Sequence, residues 1–463
     1  MLPDDVLLEV FDFYVNEDKD EHRNKEIEKW QTLVHVCRRW RRVVFGSPRR
    51  LNLRLVCTSK TPARNTLDVW PSLPLLILDN NPPIDSEDVD NIIAVLERSD
   101  RVIEIDFFTF YDWDLEDVLA AMHVPFPELT DLNLRIQQGM VSVLPDSFLG
   151  GSARRLQYLR LGRIPFPGIP KLLLSATHLV DLRYENIPHS GYISPEAIVA
   201  VLSTLTSLER LSLGFESPQS RPHWAHRRLP PPTRSVLPVL TSFWFKGACE
   251  YLEDVVIRIN APQLEHLYIA LFNQIVFETP QFIQFISRLP TSETFEKAVV
   301  VFSQYTARVK LSSQTSGYGT LNMEISCIEL DWQVSSMEQV CTSCLPPLSM
   351  LEDLYIYEHP SLPPAVWRAN IDNTLWLELL WPFTGVKNLY LSEIFASLIT
   401  PALQELTGGS TTEVLPSLQN IFTSGTVHAS IQRFAATRQV SHTIAFSRWD
   451  NSKEDMEKNY RFF

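Results

Sequence analysis

A six-residue pattern, apolar-x-x-apolar-x-apolar, returns ten times along the chain and constrains its fold more than any other feature. The triplets are Leu73, Leu76, Leu78; Val102, Ile105, Phe107; Leu129, Leu132, Leu134; Leu156, Leu159, Leu161; and Leu179, Leu182, Tyr184. They continue as Leu208, Leu211, Leu213; Leu240, Phe243, Phe245; Leu264, Leu267, Ile269; Leu351, Leu354, Ile356; and Val386, Leu389, Leu391. Up to Leu264 the first members lie 29, 27, 27, 23, 29, 32 and 24 residues apart. The last two apolar positions of each triplet are two residues apart. On a strand they face one side, and the residue between them faces the other. So short a segment cannot bury its apolar side alone, whereas stacked copies share one continuous core.

Between the triplets lie helix candidates with start signals. Ser194-Pro195-Glu196 precedes Ala197 to Leu205, and Thr279-Pro280 precedes Gln281 to Ser287. Asp85 to Arg98 and Asp114 to Met122 are amphipathic and acidic at their starts, Ile394 to Leu406 is apolar, and Val427 to Val440 is expected as a terminal helix. Strand then helix, repeated, predicts a parallel sheet on one face and helices on the other. Leu51 to Leu55 alternates as a short strand, Thr58 to Pro74 is a connecting loop and half-copy, and Leu418 with Ile421 begins an imperfect last copy.

The interval from Leu264 to Leu351 is 87 residues and admits two readings. Three further copies of 29 fit the length, and Ile325, Ile328 and Leu330 fit the pattern. Alternatively, Arg308 to Leu311 and Leu321 to Ile325, separated by Gly317-Tyr318-Gly319, form an inserted hairpin.

The first fifty residues differ from the rest. Leu7, Val10, Phe11 and Tyr14 recur at helical spacing behind Leu2-Pro3, and Leu33, Val36, Cys37 and Trp40 do so in a second segment. Helices this short must pack on something to persist. Leu2-Pro3, Val6-Leu7-Leu8, Val10-Phe11, then Leu33, Val36-Cys37-Arg38 and Trp40 resemble the F-box in order and spacing. The charged link from Asn16 to Lys29 is longer than is usual there. The triplets in turn have the period of leucine-rich repeats, roughly 20 to 29 residues, and the whole chain resembles the F-box proteins with leucine-rich repeats of mushroom-forming fungi.

The resemblance implies an α/β chain in which a short three-helix-type F-box over residues 1–50 and a connecting segment over 51–72 precede a leucine-rich-repeat solenoid over 73–463. In the solenoid a parallel sheet lines the concave face and helices the convex one, with insertions and a C-terminal cap. It implies a substrate receptor of a Skp-cullin-F-box ubiquitin ligase. The F-box docks a Skp-type adaptor, which leads to cullin and RING subunits, while the repeats hold an unknown protein target. The alternative is a binding scaffold not engaged with a ligase. Leu2, Pro3, Leu7, Leu8, Phe11, Val36 and Trp40 are expected on the docking face, with Val10, Leu33 and Cys37 holding the helices together.

Residues between the triplet positions are the candidate target contacts: Tyr158, Arg160, Asp181, Arg183, Arg210, Trp244, His266, Tyr268, Tyr355, Tyr357 and Tyr390. Tyrosine, tryptophan and arginine anchor protein interfaces, although aromatic side chains also suit strands for their own sake. The Pro-rich, locally basic stretch Ser217 to Pro238 interrupts the pattern and is read as a loop insertion that either stays solvated or contacts a partner.

A net charge of -14 weighs against nucleic acid or an anionic membrane as partner. Six cysteines without a framework suit a reducing compartment, and no secretory leader or membrane-spanning run is evident. A cytoplasmic or nuclear protein is expected. Cys341 and Cys344 have the spacing of half a zinc site with no second pair to complete it, and His223 with His226 is read as a solvated loop. Neither a nucleophile motif nor a phosphate-cradling loop occurs, so the reading is a non-enzyme without metal or cofactor.

Overall fold

The computed structural model describes residues 2–16, 26–70, 72–79, 86–110, 112–136, 139, 142–218, 234–272, 279–289, 295–313, 319–359, 371–405 and 414–424. The Gly317-Tyr318 turn, His223 with His226, most of the Pro-rich stretch and the expected helix from Val427 to Val440 lie outside these residues. The chain is mixed α/β and divides into two compact units, Met1–Ile193 with Ala200–Leu208, and Ser194–Val199 with Glu209–Phe463.

The first unit begins with three helices, α1 (Asp4–Asn16), α2 (Glu26–Val36) and α3 (Arg38–Gly46). Asp4 and Asp5 in the first turn of α1 complement the positive end of its dipole. Arg39 of α3 donates from Nε to the Asp4 carboxylate at 2.9 Å and also bonds the Leu2 carbonyl, tying the two helices together. The closing segment is not one helix as its spacing predicted. Cys37 adopts extended φ/ψ of -160° and 167°, and its sulfur accepts from the Trp40 N–H at 3.5 Å, so α3 restarts there. Leu33 and Val36 therefore sit on a different helix from Trp40.

Trp30 of α2 is buried, donates its Nε1–H to the Arg54 carbonyl at 3.1 Å, and meets Phe45 and Trp70 edge to face at 6.1 and 5.3 Å. Trp70 follows α4 (Ala63–Val69), so the helical module and the connecting segment share one aromatic core. Leu51 and Asn52 belong to a turn and not to the start of a strand, because β1 (Leu55–Cys57) begins only where the chain reaches the edge of β2 (Leu75–Asp79).

From β2 strands and helices follow one another along the chain. The chain runs through α5 (Ser86–Leu96), β3 (Val102–Phe110), α6 (Asp112–Ala121), β4 (Asp131–Ile136), β5 (Tyr158–Gly162), α7 (Ile169–Leu173) and β6 (Asp181–Ile187). Strands β1 to β6 lie in chain order, each parallel to the next. Register keeps the triplets level, as in Leu132 beside Leu159 beside Leu182. These side chains are buried, and each contributes about 1.5–3 kcal/mol of hydrophobic stabilisation. Tyr184 replaces the third leucine in β6. Its buried hydroxyl accepts the Phe166 N–H at 2.9 Å and donates to the Ile164 carbonyl at 3.0 Å, so the extra polar atom is satisfied.

Helix α8 (Pro195–Leu202) is divided between the two units. The second unit holds β7 (Arg210–Phe215), β8 (Ser235–Val236), β9 (Ser242–Gly247), α9 (Cys249–Val256), β10 (Ile259–Asn260), β11 (His266–Phe272) and α10 (Pro280–Ile286). Buried Glu253 of α9 accepts the N–H groups of Gln281 and Phe282 at 3.0 and 2.7 Å, which fixes the first turn of α10.

The 87-residue interval then resolves in favour of the insertion. It contains three strands, β12 (Lys297–Phe302), β13 (Thr306–Ser312) and β14 (Thr320–Ser326), in an antiparallel meander. β14 lies beside β11 and parallel to it, and β12 lies beside β15 (Asp353–Glu358), also parallel. The triplet Ile325, Ile328, Leu330 is no repeat. Ile325 ends a strand, Ile328 is exposed, and Leu330 opens α11 (Leu330–Ser343).

After β15 come α12 (Asn373–Leu380), β16 (Asn388–Ser392), α13 (Glu393–Glu405) and β17 (Asn420–Ser424), with β15, β16 and β17 parallel in order.

Candidate functional site

Helix α1 carries apolar side chains on both sides. Leu7, Leu8, Phe11 and Val15 are buried inside the module, with Phe11 edge to face on Trp40 at 4.8 Å. Leu7, Leu8 and Phe11 are thus core, contrary to their expected place on a docking face, because Trp40 and the other helices already cover that side. Val10 and Cys37, expected inside, are exposed. Of the expected docking residues, Leu2, Pro3 and Val36 are exposed and Trp40 is half-buried. The exposed apolar stripe of α1 comprises Val6, Val10, Phe13 and Tyr14, with Val10 at 52% and Phe13 at 67% of full exposure. Spacings of four, three and one residues place them along one side of a helix. Leu2 at 55% precedes this stripe, and Val36 at 56% lies at the end of α2.

In the first unit the residues between triplet positions form a charged ladder. Asn133 donates to Asp106 at 2.7 Å, and Arg135 Nε donates to Asn133 at 3.0 Å. Arg160 and Arg183 both reach the fully buried Asp181, at 3.4 and 3.1 Å. Tyr158 sits level with Asp131 and Asp181. Arg135 lies across Gly162, where a Cβ would come within 2.9 Å of its Cγ, so the glycine makes room for the arginine stem. Burial pushes the Arg135 guanidinium below its usual range, against the opposite pull of Asp106 and Glu185. The ladder is largely occupied with itself.

The corresponding face of the second unit is aromatic. Trp244 of β9 and Tyr268 of β11 stack at 5.9 Å and 15°. Tyr355 of β15, Tyr390 of β16 and Phe422 of β17 stack in turn at 4.1 and 4.5 Å, within 10° of parallel. The Lys297 ammonium sits 4.2 Å from the Tyr355 ring centre, a cation–π distance. Between the two stacks the meander supplies Lys297, Arg308 and Lys310, with Glu324 opposite Arg308 and accepting from the Tyr268 hydroxyl at 2.5 Å. Burial, then Arg308 and Lys297, holds the Lys310 ammonium below its usual pKa. Burial, then Tyr390, pushes the Tyr355 phenol up, and burial with Glu324 does the same to Tyr268.

The expected contact residues therefore form two groups and not one. Tyr158, Arg160 and Arg183, with Asp181, belong to the ladder. Trp244, Tyr268, Tyr355 and Tyr390 belong to the stacks. Tyr357 is half-buried farther along β15, His266 meets the Thr320 hydroxyl at 3.2 Å, and Arg210 at the start of β7 faces Glu209 at 3.8 Å. Asp106, Asn133 and Phe422 were missed. The first two lie between the same triplet positions that pointed to Arg160, and Phe422 follows Ile421 of the imperfect copy. Lys297, Arg308 and Lys310 carried no such mark, since their strands fall outside the pattern.

Among the described residues no group of three His, Cys, Asp or Glu side chains converges as a metal site, and no helix is long and apolar enough to cross a membrane. Cys341 and Cys344 are buried. Burial pushes the Cys344 thiol up to about 11 and raises that of Cys341 further, which leaves both protonated at neutral pH. No family model matches the chain, and no curated protein matches it in sequence.

Proposed function

We propose that this chain is the substrate receptor of a Skp-cullin-F-box ubiquitin ligase, with the three-helix module docking a Skp-type adaptor and the strand faces holding a target protein. The observation that carries the reading is the stripe of Val6, Val10, Phe13 and Tyr14, with Leu2 before it. A module whose own core is already filled by Leu7, Leu8, Phe11 and Trp30 keeps a second apolar side on the same helix. Leaving such a stripe in water is unfavourable, and a partner that covers it gains that area. The aromatic face of the second unit suits the other half of the task, because half-buried Tyr and Trp side chains on a rigid sheet make adaptable protein contacts. Catalysis would belong to other subunits, and the contribution of this chain would be to hold the target lysine near them.

The test is co-purification of the full chain with a Skp-type adaptor, comparing wild type with Val10→Asp. A stoichiometric complex that weakens about tenfold or more in the variant, with unchanged near-ultraviolet circular dichroism, supports the reading. Leu8→Asp is a poorer probe, because it would place a charge in the core and destabilise the module itself. A folded wild-type chain that forms no complex excludes the receptor role.

A further inference from the structure

We propose that the aromatic face of the second unit binds an extended segment of a partner protein in which one acidic residue is flanked, three positions away on each side, by an aromatic or large apolar residue. The proposal deepens the receptor reading by naming the class of target, and its geometry stands whether or not the module docks an adaptor.

Register puts eight residues at one level across eight strands: Trp244, Tyr268, Asn322, Lys310, Val299, Tyr355, Tyr390 and Phe422. Both aromatic stacks and Lys310 lie on this single line, with Lys310 two strands from Tyr268 and two from Tyr355. Neighbouring strands are ~4.8 Å apart, so the inner edges of the stacks are about 19 Å apart with the lysine near the midpoint. An extended chain rises ~3.3 Å per residue, so a segment laid along the line spans that gap in about six residues, with its third over Lys310. The aromatic rings offer flat apolar surface at either end, and the centre offers positive charge.

Charge selects the sign of the central residue. From β9 to β15 this face presents Lys246, Lys297, Arg308 and Lys310 against two carboxylates, Glu324 and Asp353. That excess is local in a chain of net charge -14. Burial, then the nearby Arg308 and Lys297, already holds the Lys310 ammonium down, and an arriving anion offsets the repulsion among the three cations. A second copy of the chain would bring the same cations face to face. A nucleic acid would run its phosphates past Glu324 and Asp353, whereas a peptide brings one negative charge to the one place that favours it.

The experiment uses the full chain and fluorescein-labelled peptides Trp-x-x-Glu-x-x-Trp, with x glycine or serine, measured by fluorescence anisotropy. Companion peptides carry Gln or Lys at the centre, or lose two spacer residues. The Glu peptide is expected to bind, the Gln peptide about tenfold more weakly, and the Lys and shortened peptides more weakly still. Lys310→Glu should reverse the order and favour the Lys peptide. Lys310→Met, which adds no charge, should abolish discrimination between Glu and Gln. Equal binding of the Glu and Lys peptides by wild type, or no binding of any peptide up to about 1 mM, would overturn the proposal. Displacement of the Glu peptide by an octathymidylate at equal concentration would reassign the face to nucleic acid. A wild-type dimer that Lys310→Glu dissolves would reassign it to self-association. Adaptor co-purification from the same preparation separates the two readings: a complex without peptide binding sinks only this inference, and peptide binding without a complex sinks only the receptor.

Discussion

The same strand pattern builds two faces of opposite character, one in each unit. On β3 to β6 the positions between the apolar residues are charged and matched to one another, and Asp181 alone holds two arginines. On β9 to β17 they are aromatic, stacked with near-parallel planes, and interrupted by cations from the meander. An ion pair already formed across a sheet has little to offer a visitor, since a new partner must first displace the old one. A stacked ring keeps one face or edge available, and half-buried aromatic area is the usual source of binding energy at interfaces. The comparison teaches that a repeated backbone fixes where side chains point, while the residue chosen there decides whether the face spends its chemistry on stability or on recognition.

Three substitutions can break or sharpen that contrast. Asp181→Ala leaves Arg160 and Arg183 adjacent without their shared carboxylate. Because the arginines are half-exposed and partly rescued by water, the expected loss is about 2–3 kcal/mol, read as a lower urea midpoint, with peptide binding by the second unit unchanged. A midpoint within experimental error of wild type would show that the ladder is ornamental. Tyr390→Ala removes the middle ring of a three-ring stack and should cost about 1–2 kcal/mol of stability while reducing peptide affinity at least tenfold. Tyr158→Ala, the equivalent change on the charged face, should leave that affinity untouched. If both tyrosines behave alike, the two faces are not different in kind.

The smallest effect concerns Lys310. Its ammonium is disfavoured in the fold, so Lys310→Met should stabilise the chain slightly, by less than about 1 kcal/mol, at pH 7. The folded state sheds this proton before the unfolded state does. Wild-type stability therefore gains on the variant as pH rises through the lowered folded value, and the difference closes near the ordinary lysine pKa of about 10.4. A destabilised Met variant at pH 7 would mean that the lysine serves the fold and not a ligand.

Much of this was readable in the sequence, and the misses have physical reasons. All ten apolar triplets lie on or just before strands, because alternation of period two and a fixed spacing are local properties. The meander is ambiguous in the sequence because an antiparallel strand alternates in the same way as a parallel one. Only the partner of each strand distinguishes them, and pairing is not local. In α1 both sides of the helix are apolar, so periodicity identified a helix without telling which side faces inward, and Leu8 and Val10 exchanged places. The break at Cys37 leaves no mark in the apolar spacing, since Leu33, Val36 and Trp40 run straight through it, and the cap is made by a sulfur that seldom plays that part. The charged ladder and the stacks were both legible as outward positions. Which side chains would satisfy one another across strands depended on register.

The first strand of the meander, β12, lies beside β15 and its last, β14, beside β11, parallel to each, and the levels run straight through: His266, Thr320, Ser312, Lys297 and Asp353 share one line. If the three strands were excised, Leu267 would come level with Leu354 and Ile269 with Ile356, apolar beside apolar. The insertion is therefore neutral to the phase of its host, like a whole number of wavelengths added to a wave. Removing the three strands would remove Lys310 together with the gap that separates the two aromatic stacks, and would take from α11 the strands β13 and β14 on which it packs. What the face recognises is thus tied to one inserted segment, whereas the register of the strands that flank it is not.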